Sequence, residues 1–267
     1  MSRCFRIGIV GAWLGLLAWA GPARGDMAPL VFAEGRIRVQ IVAEHGAIPP
    51  LVLATLPLAM DAAVEPIGAP AEPAVLTVRL LAPPSFYKRL KALFRIEAFA
   101  EQAGDEIRLY PGDDPLKLAF RLGHELAHWL TAQRHPARPP LWLDEGLAQL
   151  VGATAAETCA RVHKQNLERP PPPDLSVNLF TLADLTTLAA YPRSAGRSAA
   201  FYWQAEALVR ALHRKLGRGD FAIYLGHLSA PNPPAWDRTL RETWYFSNWD
   251  LHWLAEQIRP APATAVP

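Results

Sequence analysis

Two histidines four residues apart flank a glutamate in the run His124-Glu125-Leu126-Ala127-His128. A second carboxylate, Glu145, follows in Trp142-Leu143-Asp144-Glu145-Gly146-Leu147-Ala148. These residue types at this spacing could hold a divalent metal ion and activate a water on it. On an α-helix, residues four apart share a face, so both imidazoles can point at one ion. Glu125 sits one step round the helix, where it reaches a water on that ion but is badly placed to ligate. The five-residue pattern also arises by chance, and its alternative reading is a helix face with two unrelated histidines. Glu145 favours the metal. Two histidines and one carboxylate leave one coordination position open, which is the pattern of a catalytic zinc.

The elements that must position these side chains can be read around them. Leu116 to Thr131 reads as a helix, with apolar Leu118, Ala119, Leu122, Leu126, Trp129 and Leu130, no internal proline, and Pro115 suited to its first turn. The run Arg134-His135-Pro136-Ala137-Arg138-Pro139-Pro140 ends it and lets a second helix, Asp144 to Ala155, fold back beside it. Gly146 directly follows the third ligand and lets the two helices approach closely. Asp144 has two readings: an N-cap for the second helix, or a carboxylate that hydrogen-bonds a zinc histidine.

At these residues the chain resembles the gluzincin metallopeptidases. The nearest likeness is to the bacterial peptidase MA-like family, distantly similar to aminopeptidase N and thermolysin. The paired motifs cover residues 116–152 strongly and the flanks to about 85 and 260 weakly. The resemblance implies that Glu145 is the third zinc ligand and Glu125 the general base. The exopeptidase signature Gly-x-Met-Glu-Asn does not occur upstream. A donor for the tetrahedral oxyanion is also needed. Tyr202-Trp203-Gln204-Ala205-Glu206-Ala207-Leu208 resembles the tyrosine-led helix start that supplies this hydroxyl in aminopeptidase-like gluzincins, which makes Tyr202 the candidate. Tyr191 and His213 are its rivals, and a tyrosine merely packed at a helix start is the alternative.

The 267 residues are 51% hydrophobic and 19% charged, ordinary for a chain with a sizeable core. Net charge is +2, with no Lys/Arg run or basic helix, which excludes a nucleic-acid partner from the expectations. Residues 1–25 resemble a secretory signal. Arg3 and Arg6 precede an apolar stretch from Ile7 to Ala20, which is short for a bilayer, and Ala18-Trp19-Ala20 is a cleavage-like site. The protein is thus expected to be secreted or periplasmic, with no stable membrane span after cleavage; an uncleaved anchor is the alternative. Cys4 would leave with the signal, and Cys159 alone remains, expected to be a buried apolar residue.

Along the chain, residues 26–114 read as a β-rich part. Arg36 to Val42 and Val75 to Leu81 alternate as strands of one sheet, with a short helix between them. Ser85 to Phe94 reads as a helix capped by Ser85. Asp105 to Tyr110 is a strand whose place is either the cleft edge, where a peptide could pair with it, or mid-sheet. Residues 115–259 form the zinc-binding helical part. After a connector at Pro170 to Pro173, helices are expected at Thr181 to Ala190, Ala199 to Leu216, Asp220 to Leu228 and Trp249 to Ile258. Residues 260–267 read as a tail. The Trp-rich C-terminal stretch (Trp236, Trp244, Trp249, Trp253) reads as packing rather than a substrate pocket. His45, His135, His163, His227 and His252 read as surface or packing residues.

The fold class expected is α+β and zincin-like: a small N-terminal mixed sheet, the zinc helix, and a mostly helical C-terminal half. The function expected is a secreted zinc metallopeptidase acting on a peptide or protein, with Glu125 activating a zinc-bound water. Its rivals are a non-catalytic zinc-stabilised module that binds a peptide or envelope protein, and a zinc hydrolase of a non-protein amide or ester.

Overall fold

A computed structural model describes residues 30–44, 46–81, 100–112, 114–165 and 178–260. The signal-like N-terminus, the helix expected at Ser85 to Phe94, the proline connector and residues 261–267 lie outside the described residues.

The alternating segments form the strands their patterns require. β1 (Leu30–Phe32) pairs antiparallel with β2 (Ile37–Ala43), which runs parallel to β3 (Ala74–Leu80). β4 (Ala100–Ala103) and β5 (Glu106–Leu109) form a hairpin, and β5 lies parallel to β3. The order is β1-β2-β3-β5-β4, a mixed sheet. Ile37, Val39, Leu76, Val78, Ile107 and Leu109 are fully buried on one face, while Arg38, Gln40, Val75 and Arg108 face out. That alternation gives a half-covered sheet with helices on its buried face.

Two expectations need correction here. The strand at Asp105 to Tyr110 is not the edge, because β5 is hydrogen-bonded on both sides; among the described strands β4 is the edge. The short helix between the first two long strands is an 18-residue helix, α1 (Pro50–Ile67), with Pro57 and Pro66 inside it. Each internal proline removes a helical hydrogen bond, but burial of Val52, Leu56, Ala59, Met60, Ala63 and Ile67 outweighs that loss. A helix is also the connection that two neighbouring parallel strands need. By length and composition α1 could cross a membrane, but half of it is buried in the fold.

α2 (Pro115–Arg134) opens with Pro115 at its first position and Asp114 as N-cap, accepting from the Leu116 and Lys117 amides. α3 (Leu141–His163) starts three residues before Asp144, so Asp144 lies inside the helix and is not its cap. α4 (Leu182–Thr187), capped by Thr181, is shorter than expected. The two helices expected on either side of Gly217 are one run, α5 (Ala195–Leu228), broken by non-helical backbone at Gly217 with φ 74°. α6 (Trp236–Trp244) occupies a stretch with no helix expected, and α7 (Asn248–Gln257) closes the described chain with a capping box at Ser247 and Asp250.

α1, α2, α3 and α5 share one hydrophobic core with the buried sheet face. Close approach of the helices uses small residues. A Cβ on Gly123 would lie 3.0 Å from the Gly152 Cα, which fixes the α2–α3 contact. Gly146, expected to serve that same contact, instead faces α5, where a Cβ would lie 2.4 Å from the Ala205 carbonyl oxygen. Cys159 is buried, as expected. In the Trp-rich C-terminal stretch, Trp236 packs edge-on against Trp142 and Trp244 against Tyr224, whereas Trp249 is exposed.

Candidate metal centre

α2 carries His124 and His128 on one face, and α3 folds back to bring Glu145 opposite them. The ligand atoms of the three residues all lie within 4.8 Å of one another. The two Nε2 atoms are 3.2 Å apart. Glu145 Oε2 is 3.6 Å from His124 Nε2, and Oε1 is 3.7 Å from His128 Nε2.

The neighbouring groups fix what these atoms can do. Asp144 Oδ1 lies 3.1 Å from His128 Nδ1. A carboxylate only accepts, so Nδ1 carries the proton and Nε2 presents its lone pair to the cluster. Asp144 therefore takes the second of its two expected roles, orienting a histidine. Burial, and then His128, hold the His124 imidazole neutral by lowering its pKa to about 3. For His128, burial is outweighed by the Asp144 hydrogen bond and by the Asp144, Glu145 and Glu125 charges, and its pKa is raised. Burial raises that of Glu145 against the pull of His128. Glu145 Oε2 is buried with no hydrogen-bond partner, and so is His124 Nδ1. Two imidazole nitrogens and a carboxylate oxygen with no hydrogen-bond partner converge on one point. Leaving a buried carboxylate oxygen unsatisfied is costly, and a divalent cation relieves that cost with N and O ligands of the kind zinc takes. The residues present fit the metal.

Glu125 stands beside the cluster and does not belong to it. Burial, against the attraction of His128, pushes its carboxyl up to about 7. The backbone N–H of Gln102, on strand β4, lies close enough to pull the other way and lower it.

The three candidate donors separate. Tyr191, in the turn between α4 and α5, donates its hydroxyl to Glu145 Oε1. Its pKa is raised by burial and then by Glu145. Tyr202, in the second turn of α5, packs edge-on against Phe201 and is close enough to Tyr191 for their charges to interact. His213 does not join the site. Its ring stacks edge-on against Phe221, and Nε2 faces Glu65 of α1 at 3.5 Å. Sequence reasoning ranked Tyr191 only as a rival oxyanion donor and missed its hold on Glu145; nothing in the local pattern around Tyr191 marks a contact with a residue two helices away. It also missed β4, whose four residues Ala-Glu-Gln-Ala carry no strand alternation.

The sheet, the two antiparallel site helices and the His-His-Glu cluster together define a zincin-like α+β fold. Among solved structures, the chain is similar to an M1 zinc metallopeptidase from Deinococcus radiodurans bound to a Tyr-Ser-Ala substrate, with 15% identity and a TM-score of 0.51, covering 91% of this chain and 54% of that one. A second structure of an M1 zinc metallopeptidase from Deinococcus radiodurans gives 15% identity and a TM-score of 0.48 over 89% and 52%. The chain thus spans about half the length of the structures it matches. No protein-family model matches the sequence, and no curated protein does.

Proposed function

We propose that this protein is a secreted zinc-dependent metallopeptidase of gluzincin type that hydrolyses peptide bonds. The observation that carries this reading is the convergence of His124 Nε2, His128 Nε2 and the buried, half-unpartnered Glu145 carboxylate, with Glu125 beside them. A binding module would have no need for a base at that position.

His124, His128 and Glu145 would hold the ion. When bound, zinc supplies Lewis-acid polarisation of a carbonyl and acidifies water. Glu125 takes the proton of the attacking water and delivers it to the leaving amine. Burial is the largest influence on its carboxyl and raises its proton affinity. Asp144 holds the His128 tautomer and ring direction. Tyr191 fastens one carboxylate oxygen of Glu145. Tyr202, beside Tyr191, is assigned the hydrogen bond to the oxyanion. Strand β4 is the edge among the described strands and runs past Glu125, where an extended peptide could pair with it. The signal-like N-terminus, Arg3 to Ala20, supports secretion or a periplasmic place for the protein.

The test is metal content by elemental analysis together with peptide turnover. Wild type is expected to hold about one zinc per chain, and Glu145→Ala to lose it. Glu125→Gln is expected to keep the zinc and lose peptide hydrolysis by roughly 10²–10⁴-fold. Wild-type protein that takes up no zinc after reconstitution near neutral pH would reject the reading.

A further inference from the structure

We propose that Asp105 is a positioning residue: its carboxylate pins the tip of the β4–β5 hairpin to the metal-site helix and so sets edge strand β4 against Glu125. The inference rests on the peptidase reading for its effect on turnover, but its structural content stands apart from that reading.

The geometry comes from one face of α2. Glu125, Trp129 and Gln133 follow each other at steps of four, so they stack on one side of the helix. The hairpin lies along that side. At its tip, Asp105 Oδ1 accepts hydrogen bonds from Trp129 Nε1 at 3.1 Å and from Gln133 Nε2 at 2.6 Å. Trp129 is fully buried, so its indole N–H has a fixed direction. The Asp105 carbonyl also accepts from the Thr77 amide of β3 at 2.8 Å, which ties the same residue into the sheet. Asp105 thus joins sheet and helix at one point.

Three residues before Asp105, at Gln102, the strand comes beside Glu125. The hairpin closes with a two-residue turn, Gly104 and Asp105, with Gly104 at φ 59°. Ala103 and Glu106 flank that turn and form its hydrogen-bonded pair. Antiparallel pairing alternates, so the N–H of Gln102 points away from β5, out of the sheet edge. The Glu125 carboxyl of α2 lies close enough for that N–H to lower its pKa. β4 is four residues long, and among the described strands it pairs with β5 alone. Its distance from Glu125 is set at the hairpin tip, four and eight residues further along the helix. A peptide laid on β4 would have its scissile carbonyl placed by that distance.

The experiment measures backbone amide hydrogen exchange at Gln102 in zinc-loaded wild type, Asp105→Ala, Asp105→Asn and Gln133→Ala, beside peptide kinetics on the same samples. Asn keeps an oxygen that accepts both bonds, and Gln133→Ala removes only one of them, so two variants remain usable if Asp105→Ala fails to fold. Expected are exchange at Gln102 faster by about tenfold or more in Asp105→Ala, a smaller rise in Gln133→Ala, and near wild-type protection in Asp105→Asn, with the β3-paired amides of β5 unchanged. In the kinetics, Asp105→Ala should raise KM and lower kcat/KM for an extended peptide by about 100-fold at unchanged zinc content, with Asp105→Asn restoring most of the loss. Unchanged Gln102 exchange in folded Asp105→Ala, or in Gln133→Ala if only that variant folds, would overturn the proposal. A wild type that cleaves no peptide would instead remove the peptidase reading, while the exchange data still decide the role of Asp105.

Discussion

At the scale of single residues, the site separates atoms that would touch the metal from atoms that hold them. Asp144 is a holder. Asp144→Ala frees the His128 ring and removes the acceptor for its Nδ1 proton, so zinc affinity is expected to fall by about 10–100-fold. Competition with a chelator measures it, and an unchanged affinity would return Asp144 to a purely helical role. The two tyrosines differ in the same way. Tyr191→Phe removes the donor to Glu145 Oε1 and is expected to weaken zinc binding. Tyr202→Phe is expected to leave zinc in place and lower kcat by roughly 10²–10³-fold. Zinc titrations and kcat on both variants separate the roles, and the reverse pattern would exchange the two assignments. The candidate ligand and base residues are legible in the sequence because all but Glu145 lie about one helix turn apart, where spacing maps directly onto direction. Tyr191 was not assignable to Glu145, because its contact arises only where the turn after α4 passes over α3.

At the scale of elements, the site depends on how closely α3 approaches its neighbours. Glu145 is held between α2 and α5 by glycines whose missing side chains make room. Gly146→Ala would place a Cβ 2.4 Å from the Ala205 oxygen and 2.7 Å from Val209 Cγ2, too close for either to yield without moving backbone. Destabilisation of about 3 kcal/mol, with loss of zinc affinity as Glu145 shifts, is expected in thermal unfolding and zinc titration. A variant with wild-type stability and affinity would show that α5 can retreat freely. The loop between α2 and α3 supplies a second case. Burial, and then Arg134, lower the His135 pKa to about 4, below its ordinary value of 6.5. The unfolded chain therefore binds a proton that the folded chain resists between those values. This contribution to stability is present above about pH 6.5 and is lost as pH falls toward 4. His135→Gln is expected to flatten part of the acid slope of the melting temperature, and parallel slopes for variant and wild type would remove His135 as a cause.

At the scale of the whole molecule, sheet and helices share one core, and the candidate metal site lies among its helices. Zinc that binds only the folded chain stabilises it by mass action. Chelation is therefore expected to lower the melting temperature of wild type and to leave Glu145→Ala, already without zinc, nearly unaffected. Equal shifts in both proteins would place the stabilising ion elsewhere.

The sequence by itself determined the local periodic structure and the residue types that the candidate site brings together. Alternation gave β2 and β3, four-residue spacing gave the His124–His128 face, and the breaker run at residues 134–140 forced α3 back toward α2. Each of these follows from short-range geometry that neighbours in the chain impose on one another. Tertiary structure alone decided which strand forms the edge, since β4 has no pattern of its own and exists as the partner of β5. It decided that α1 is a full helix, because burial offsets the bonds that Pro57 and Pro66 remove. It gave Asp144 to His128, Tyr191 to Glu145 and Gly146 to α5, contacts between residues far apart in sequence or on separate elements. Such contacts depend on where whole elements pack, and no spacing within a single element encodes them.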